Sequence, residues 1–478
     1  MKMNTICQNL KNRKLLWILG GASVLFFFGL YLYSDICHTS IRGVVFWETL
    51  FQGRLDEFYS YFYPGVENSH FPEGTSGAAY DFLFYIIFAI WDFPLWCFEK
   101  ITGLSFLASY LTRVYAKGIV LFFAIISGVL VKKIVESIDE KQGGNGFFFF
   151  LFSPLLLSVI VIIGGYDIIS VFFTLLGIWY YLEEKELPFI FSFAVATVCK
   201  MFALLVFVPL VLIKQKNVGK VIIRILGGLS ILIASKVIAG VGGLTNFSET
   251  NIIAHSDLVN RQMFPKVNTI IQMGNIPLFF AITFILWWIC WKKKEVTKIE
   301  IIYVALMSMS IFAIFVDVLP YWIILLVPYV SIIMAVNSSN RVDNFILEMI
   351  FSVGYLVYKM GLYSWCFSLR LVSKMFGITE GNTFRYDNCG INSIVGFMSR
   401  RSGISVDNIY SLFACCFVVG LGLFLYENRP KVLQAAKQKK EENNLYIDWI
   451  RVIIGIGVMM VPITEILRYA LNIVKGWM

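Results

Sequence analysis

The sequence predicts an all-α polytopic membrane protein with about thirteen transmembrane helices and interfacial helices in a long first external loop. Three observations predict it. Hydrophobic residues make up 58% and charged residues 15% of the 478-residue chain, against about 45–50% and 25% in soluble domains, and the mean hydropathy is +0.75. Apolar runs of spanning length recur along the whole chain. Lys and Arg gather in short clusters between those runs, as orientation signals do. The net charge of +9 therefore forms no continuous basic face, which excludes nucleic acid as a partner. Nine cysteines are scattered, mostly inside apolar segments and without CxxC spacing. Cys37 and Cys389 fall in loops placed on one side, the pair that a disulfide would join.

The elements follow in order. A basic N-terminus, MKMNTICQNLKNRK, precedes the apolar run Leu15 to Tyr33, and no small-residue cleavage site follows it. This reads as a retained first helix, running from the cytoplasm outward and delivering Asp35 to the outer surface. Residues 34–112 form the external loop, in which Phe46, Trp47, Phe51, Phe58, Tyr59, Tyr61, Phe62 and Tyr63 recur at spacings that suit helices lying in the interface plane. Tyr80 to Phe98 is long enough to span, but Asp81, Asp92, Pro94 and the orientation of the later loops place it on, or re-entering, the outer leaflet. From Arg113 the rhythm is regular. Spans are expected near 114–131, 146–163, 168–182, 187–199, 201–213, 221–240, 270–291, 299–316, 319–336, 344–365, 406–426 and 446–468. Segment 114–240 is the helical core, and 241–478 carries the C-terminal helices with an external loop at 368–406. The chain reads as one membrane domain, 1–478, multi-pass, with a cytoplasmic N-terminus.

Candidate site residues lie at the outer helix ends. A carboxylate such as Asp35 at the end of an apolar helix is costly to hold there. Glu48 beside Trp47 suits a sugar hydroxyl with the indole stacked on the ring, or equally the polar face of an interfacial helix. His38 lies near Asp35 with no second histidine close in sequence. In GGYD, Gly164 and Gly165 allow a tight turn before Asp167, which either caps the next helix or belongs to a site. Lys200 interrupts an apolar run, and a buried ammonium needs an anionic partner such as a phosphate. Asp317, with Pro320 and Tyr321 beside it, sits at another outer helix end. The substrate-binding set also takes in Arg42, Tyr80, Asp81, Tyr166 and Tyr321 from these stretches.

GGYD, an apolar helix, a charged turn, an alanine-containing helix ending in CK and a run interrupted by Pro209 together resemble the mid-region of the GT-C glycosyltransferases. Tyr33-Ser34-Asp35 is similar to the acidic start of that superfamily's first external loop. The resemblance covers about the first 215 residues and, more loosely, Val316 to Tyr329. It implies an inverting transferase that takes a sugar from a polyprenyl phosphate and gives it to a cell-surface glycan, lipid or protein acceptor. By this resemblance Asp35 is the base; Lys200 meets the donor phosphate, with Arg261, Lys266 and Arg385 as weaker candidates chosen for their place in outer loops. Ile36 and Cys37 follow Asp35, so no paired carboxylate for a metal is present there, and no cofactor is implied. The Lys-, Ile- and Phe-rich composition suggests a bacterial plasma membrane with the site facing outside. Membrane lipid, a polyprenyl-phosphate-sugar synthase and a flippase of the same pathway are the implied partners. Two other functions stand beside it: a transporter or flippase of lipid-linked saccharides, which would show paired repeats with broken helices and charges deep in several spans, and a polysaccharide polymerase or ligase using diphosphate-linked oligosaccharides, which shares this topology.

Overall fold

The computed structural model describes residues 2–31, 34–63, 80–241, 266–268, 275–363, 366, 390–436 and 445–476. In chain order the first helices are α1 (Lys2–Leu30), α2 (Ser34–Phe51), α3 (Phe82–Thr102), α4 (Tyr110–Ile138), α5 (Gly143–Leu151) and α6 (Pro154–Leu157), which continues as a π-helical turn over Ser158–Ile163. Next come α7 (Ile168–Leu182), α8 (Glu186–Cys199), α9 (Leu204–Lys214) and α10 (Val218–Val241). Two short strands, β1 (Lys266–Asn268) and β2 (Asn275–Pro277), pair antiparallel with Val267 opposite Ile276. The remaining helices are α11 (Leu278–Lys292), α12 (Lys298–Phe315), α13 (Val327–Val336), α14 (Arg341–Leu362), α15 (Gly390–Ser402), α16 (Val406–Glu427), α17 (Pro430–Ala436) and α18 (Leu445–Gly476).

The protein is a helical membrane protein. Among the described residues seven helices are long and apolar enough to cross a bilayer, or up to nine if two interrupted pairs each count as one span. The expected thirteen are not reached, because Ile168–Leu182, Glu186–Cys199, Met201–Lys214, Leu278–Lys292 and Pro320–Val336 are apolar helices of only 10–17 residues. At 1.5 Å rise per residue these fall short of the roughly 20 residues a hydrocarbon core demands. Conversely, the stretch Tyr80 to Phe98, expected to lie on or re-enter the outer leaflet, falls from Phe82 onward in the unbroken 21-residue α3, which passes as a span by length and composition despite Pro94.

The contacts group into two compact units. The first comprises Met1–Tyr33, Val131–Gly165 and Leu319–Met478. Its α1 is tied to α18 by the Tyr31 hydroxyl, which donates to the Met459 carbonyl at 2.7 Å. α14 carries Arg341, Asn344, Glu348, Ser352, Tyr355 and Lys359 at intervals of three and four, one face of a helix, and all are buried. Arg451 of α18 donates to both Glu348 oxygens, one bond being 3.0 Å, and Arg341 pairs with Asp448. The Phe149 ring lies between the two guanidinium groups, 5.0 Å from Arg341 and 4.8 Å from Arg451. An amide chain runs from Asn337 to Asn428 at 2.7 Å and from Asn428 to Asn344 at 2.6 Å.

α14 and α16 meet backbone to backbone. A Cβ on Gly354 would lie 2.6 Å from both the Phe413 carbonyl oxygen and the Phe417 nitrogen, atoms of a helix that cannot rotate aside. Gly354→Ala is therefore expected to destabilise the protein by about 1–3 kcal/mol, read as a lower midpoint of thermal unfolding in detergent.

The second unit comprises Ser34–Leu130 and Tyr166–Val318. α2 packs on α3, where the Asp92 carboxyl lies against Gly43 and the Trp47 indole donates to the Ala89 carbonyl at 2.7 Å. α7 and α10 pack on α8, and the Phe193 and Phe207 rings stack at 4.8 Å between α8 and α9.

Candidate functional site

Five polar side chains of the second unit meet where α2, α3 and α7 begin and α8 ends. Gly164, at φ +74°, ends the π-helical turn in the left-handed region that suits glycine. The N–H groups of Gly164 and Gly165 both donate to the Val159 carbonyl, at 2.8 and 3.1 Å, so the chain reverses and leads into Tyr166 and Asp167. Asp167 stands at the N-cap of α7, yet its carboxylate makes no capping bond. Instead it is buried and pairs with the Lys200 Nζ at 2.9 Å. The Asp167 side chain thus does not cap α7 and is held by Lys200 instead.

Lys200 sits at a break. α8 stops at Cys199, Lys200 is extended, and a 3-10 turn over Met201–Ala203 leads into α9. Its ammonium also donates to the Tyr80 hydroxyl at 3.2 Å and lies 5.4 Å from that ring's centroid. The Tyr166 hydroxyl donates to Asp35 Oδ2 at 3.0 Å, and the Tyr80 and Tyr166 hydroxyls hydrogen-bond one another. The two rings meet edge to face at 5.5 Å, with Phe84 and Phe88 packed on Tyr166. A hydrogen-bonded line thus joins Lys200, Tyr80, Tyr166 and Asp35, with Asp167 anchoring its cationic end.

Burial sets the charges. It pushes the Asp35 carboxyl up to about 6; the Tyr166 hydrogen bond and the Lys200 charge pull it down, while the neighbouring Asp167 charge pushes it up. Burial alone would lower the Lys200 ammonium, but the Asp167 charge, with Tyr80, outweighs it and holds the lysine above its ordinary range. Burial pushes the Tyr80 phenol up to about 12, so it stays neutral. At neutral pH the cluster sets a proton-accepting carboxylate at Asp35 beside the Lys200–Asp167 ion pair, which is competence for proton abstraction.

Other sequence candidates fall elsewhere. Arg42 is buried and its guanidinium donates to the Phe58 carbonyl at 2.6 Å. Trp47 packs on Phe46, Phe51 and Phe93, so its faces serve the helix contact. Glu48 is held by Lys100 at 2.7 Å and by the Trp96 indole at 3.0 Å, thirteen residues along α2 from Asp35. Asp81 pairs with Lys236 at 2.6 Å. His38 is half-buried one turn along α2 from Asp35, and Asp317 is exposed just past α12. Tyr321 belongs to the first unit. Lys266 opens β1, and Arg261, Arg385 and Cys389 lie outside the described residues.

Sequence reading left several buried charges unassigned. Lys117 in α4 is fully buried, as are Glu348 and Arg451. A lone lysine within the apolar 114–131 run was the visible signal for the first. Among the described residues no three His, Cys, Asp or Glu side chains converge to hold a metal ion. Comparison with known proteins finds no matching family model, no matching curated protein and no matching solved structure.

Proposed function

We propose that the chain is a membrane glycosyltransferase of the GT-C kind, moving a sugar from a polyprenyl phosphate to an acceptor hydroxyl at the outer face of a bacterial plasma membrane. The observation that carries this reading is the line from Lys200 through two tyrosine hydroxyls to Asp35, which puts a base and a cation in one cluster. Asp35 takes the acceptor proton as the acceptor oxygen attacks the anomeric carbon from the face opposite the leaving group. The bond between that carbon and the phosphate oxygen breaks, the phosphate keeps the electron pair, and Lys200, exchanging part of its pairing with Asp167 for the phosphate, stabilises its charge. One glycosidic bond forms as the sugar–phosphate bond breaks, with inversion and no further reactant.

The test is consumption of a panel of radiolabelled polyprenyl-phosphate sugars by the purified protein, followed across pH. With Asp35 near 6, kcat/KM is expected to fall as pH drops below about 6, because the base becomes protonated. Tyr166→Phe removes the hydrogen bond that lowers this value, so the acidic limb should move to higher pH. A profile flat from pH 5 to 8 in both proteins would remove Asp35 as the base.

A second reading, a transporter of lipid-linked saccharides, is favoured by one observation: the Glu348–Arg451 and Arg341–Asp448 pairs lie buried between helices of spanning length. Movement of labelled lipid across vesicle membranes without consumption of any donor would establish it in place of the transferase.

A further inference from the structure

The far end of α2 holds a cavity of about 310 Å³ that shares no residue with the Asp35 cluster. Its lining is mixed: Val44, Val45 and Leu104 are apolar, and Glu48, Glu99, Lys100, Ser105, Tyr61 and Tyr63 carry polar groups. Thirteen residues separate Glu48 from Asp35, about 20 Å along the helix.

The polar groups are held in place, which a surface cleft would not require. Glu48 accepts from Lys100 through both oxygens, at 2.8 and 2.7 Å, and from the Trp96 indole at 3.0 Å; Gln52 also donates to it. Glu99 Oε1 accepts from the Phe106 N–H at 2.7 Å and from the Tyr63 hydroxyl, which is 3.0 Å from the Ser105 hydroxyl. That leaves two groups on lining residues with no hydrogen bond among the described residues: Glu99 Oε2, an acceptor, and the Tyr61 hydroxyl, a donor and acceptor.

These features select a ligand. The volume is at the low end of the roughly 300–1,000 Å³ of small-molecule sites, room for one small ring. Lys100 is already neutralised by Glu48, and Glu99 adds a second carboxylate, so an anion is disfavoured. The lining combines apolar side chains with an acceptor and a hydroxyl, which matches a molecule with an apolar ring face and hydroxyls on its edge. We infer that this cavity binds a neutral monosaccharide unit, its hydroxyls donating to Glu99 and exchanging a hydrogen bond with Tyr61. On the transferase reading this unit is part of the acceptor, remote from the sugar that reacts, and the acceptor is a glycan several sugars long.

The test is equilibrium binding to the purified full chain in detergent, with free neutral hexoses, hexose disaccharides, inorganic phosphate and tetramethylammonium chloride as probes. At least one neutral saccharide should bind. Glu99→Gln should weaken it about tenfold, since the charged hydrogen bond is lost, and Tyr61→Phe several-fold, while Asp35→Asn binds as the wild type. Because Glu99 also holds the Phe106 N–H, Tyr61→Phe, which deletes a single hydroxyl, reads the same site should Glu99→Gln misfold. Binding of no saccharide, of tetramethylammonium or phosphate alone, or of a saccharide indifferent to both substitutions overturns the inference. Saccharide binding with no consumption of any polyprenyl-phosphate donor leaves this site standing and removes the transferase.

Discussion

Asp35→Asn is expected to fold, to bind donor and to lose transfer by about 10²–10⁴-fold, the range a positioned general base contributes. Asparagine keeps the size of the side chain and retains an oxygen for the Tyr166 hydroxyl, which donates to Asp35 Oδ2 at 3.0 Å, so the line to Lys200 persists. What it removes is the ability to accept a proton. The measurement is single-turnover transfer from a labelled polyprenyl-phosphate sugar, with thermal unfolding of the variant as the control for folding. A variant as active as the wild type would mean that the acceptor proton goes elsewhere, and the cluster would then be a structural polar network.

The second large effect lies in the first unit. Glu348→Ala should destabilise the protein by about 3–5 kcal/mol, because it leaves the fully buried Arg451 guanidinium without its counter-charge. Replacing both partners, Glu348→Met with Arg451→Met, should recover most of that loss, since a buried pair contributes little net stability over apolar side chains of similar volume. Thermal unfolding of the two single variants and the double variant in one detergent closes the cycle. A double variant as unstable as the singles would show that the pair carries more than its mutual neutralisation, for instance through the Phe149 and Phe345 rings that flank Arg451.

Much of the helical layout was legible because apolar runs and their breakers are local. Expected spans at 168–182, 187–199, 201–213, 299–316 and 406–426 match α7, α8, α9, α12 and α16 to within three residues. Their lengths were legible too, yet treating each apolar run as a full crossing inflated the count. Asp35, Asp167 and Lys200 each stood out as a charge next to an apolar run, but the Asp167–Lys200 pairing spans thirty-three positions and two helices, so only folding reveals it. The polar face of α14 escaped notice for a different reason. Apolar residues fill its other faces, and a run judged by its average hydropathy conceals six polar positions that only helical spacing aligns. Trp47 and Arg42 show the limit of residue type as a signal, since aromatic and basic residues serve helix packing as readily as they serve a ligand.

The Glu348–Arg451 pair also constrains how the chain is made. The partners lie 103 residues apart, so at about 5–20 residues per second the ribosome delivers Arg451 roughly 5–20 seconds after Glu348. Throughout that interval α14 carries a carboxylate into the bilayer with its permanent partner still unsynthesised. It must stay beside the insertion machinery until α18 arrives. The final long helix therefore acts as the lock on an assembly that its predecessors leave electrostatically open.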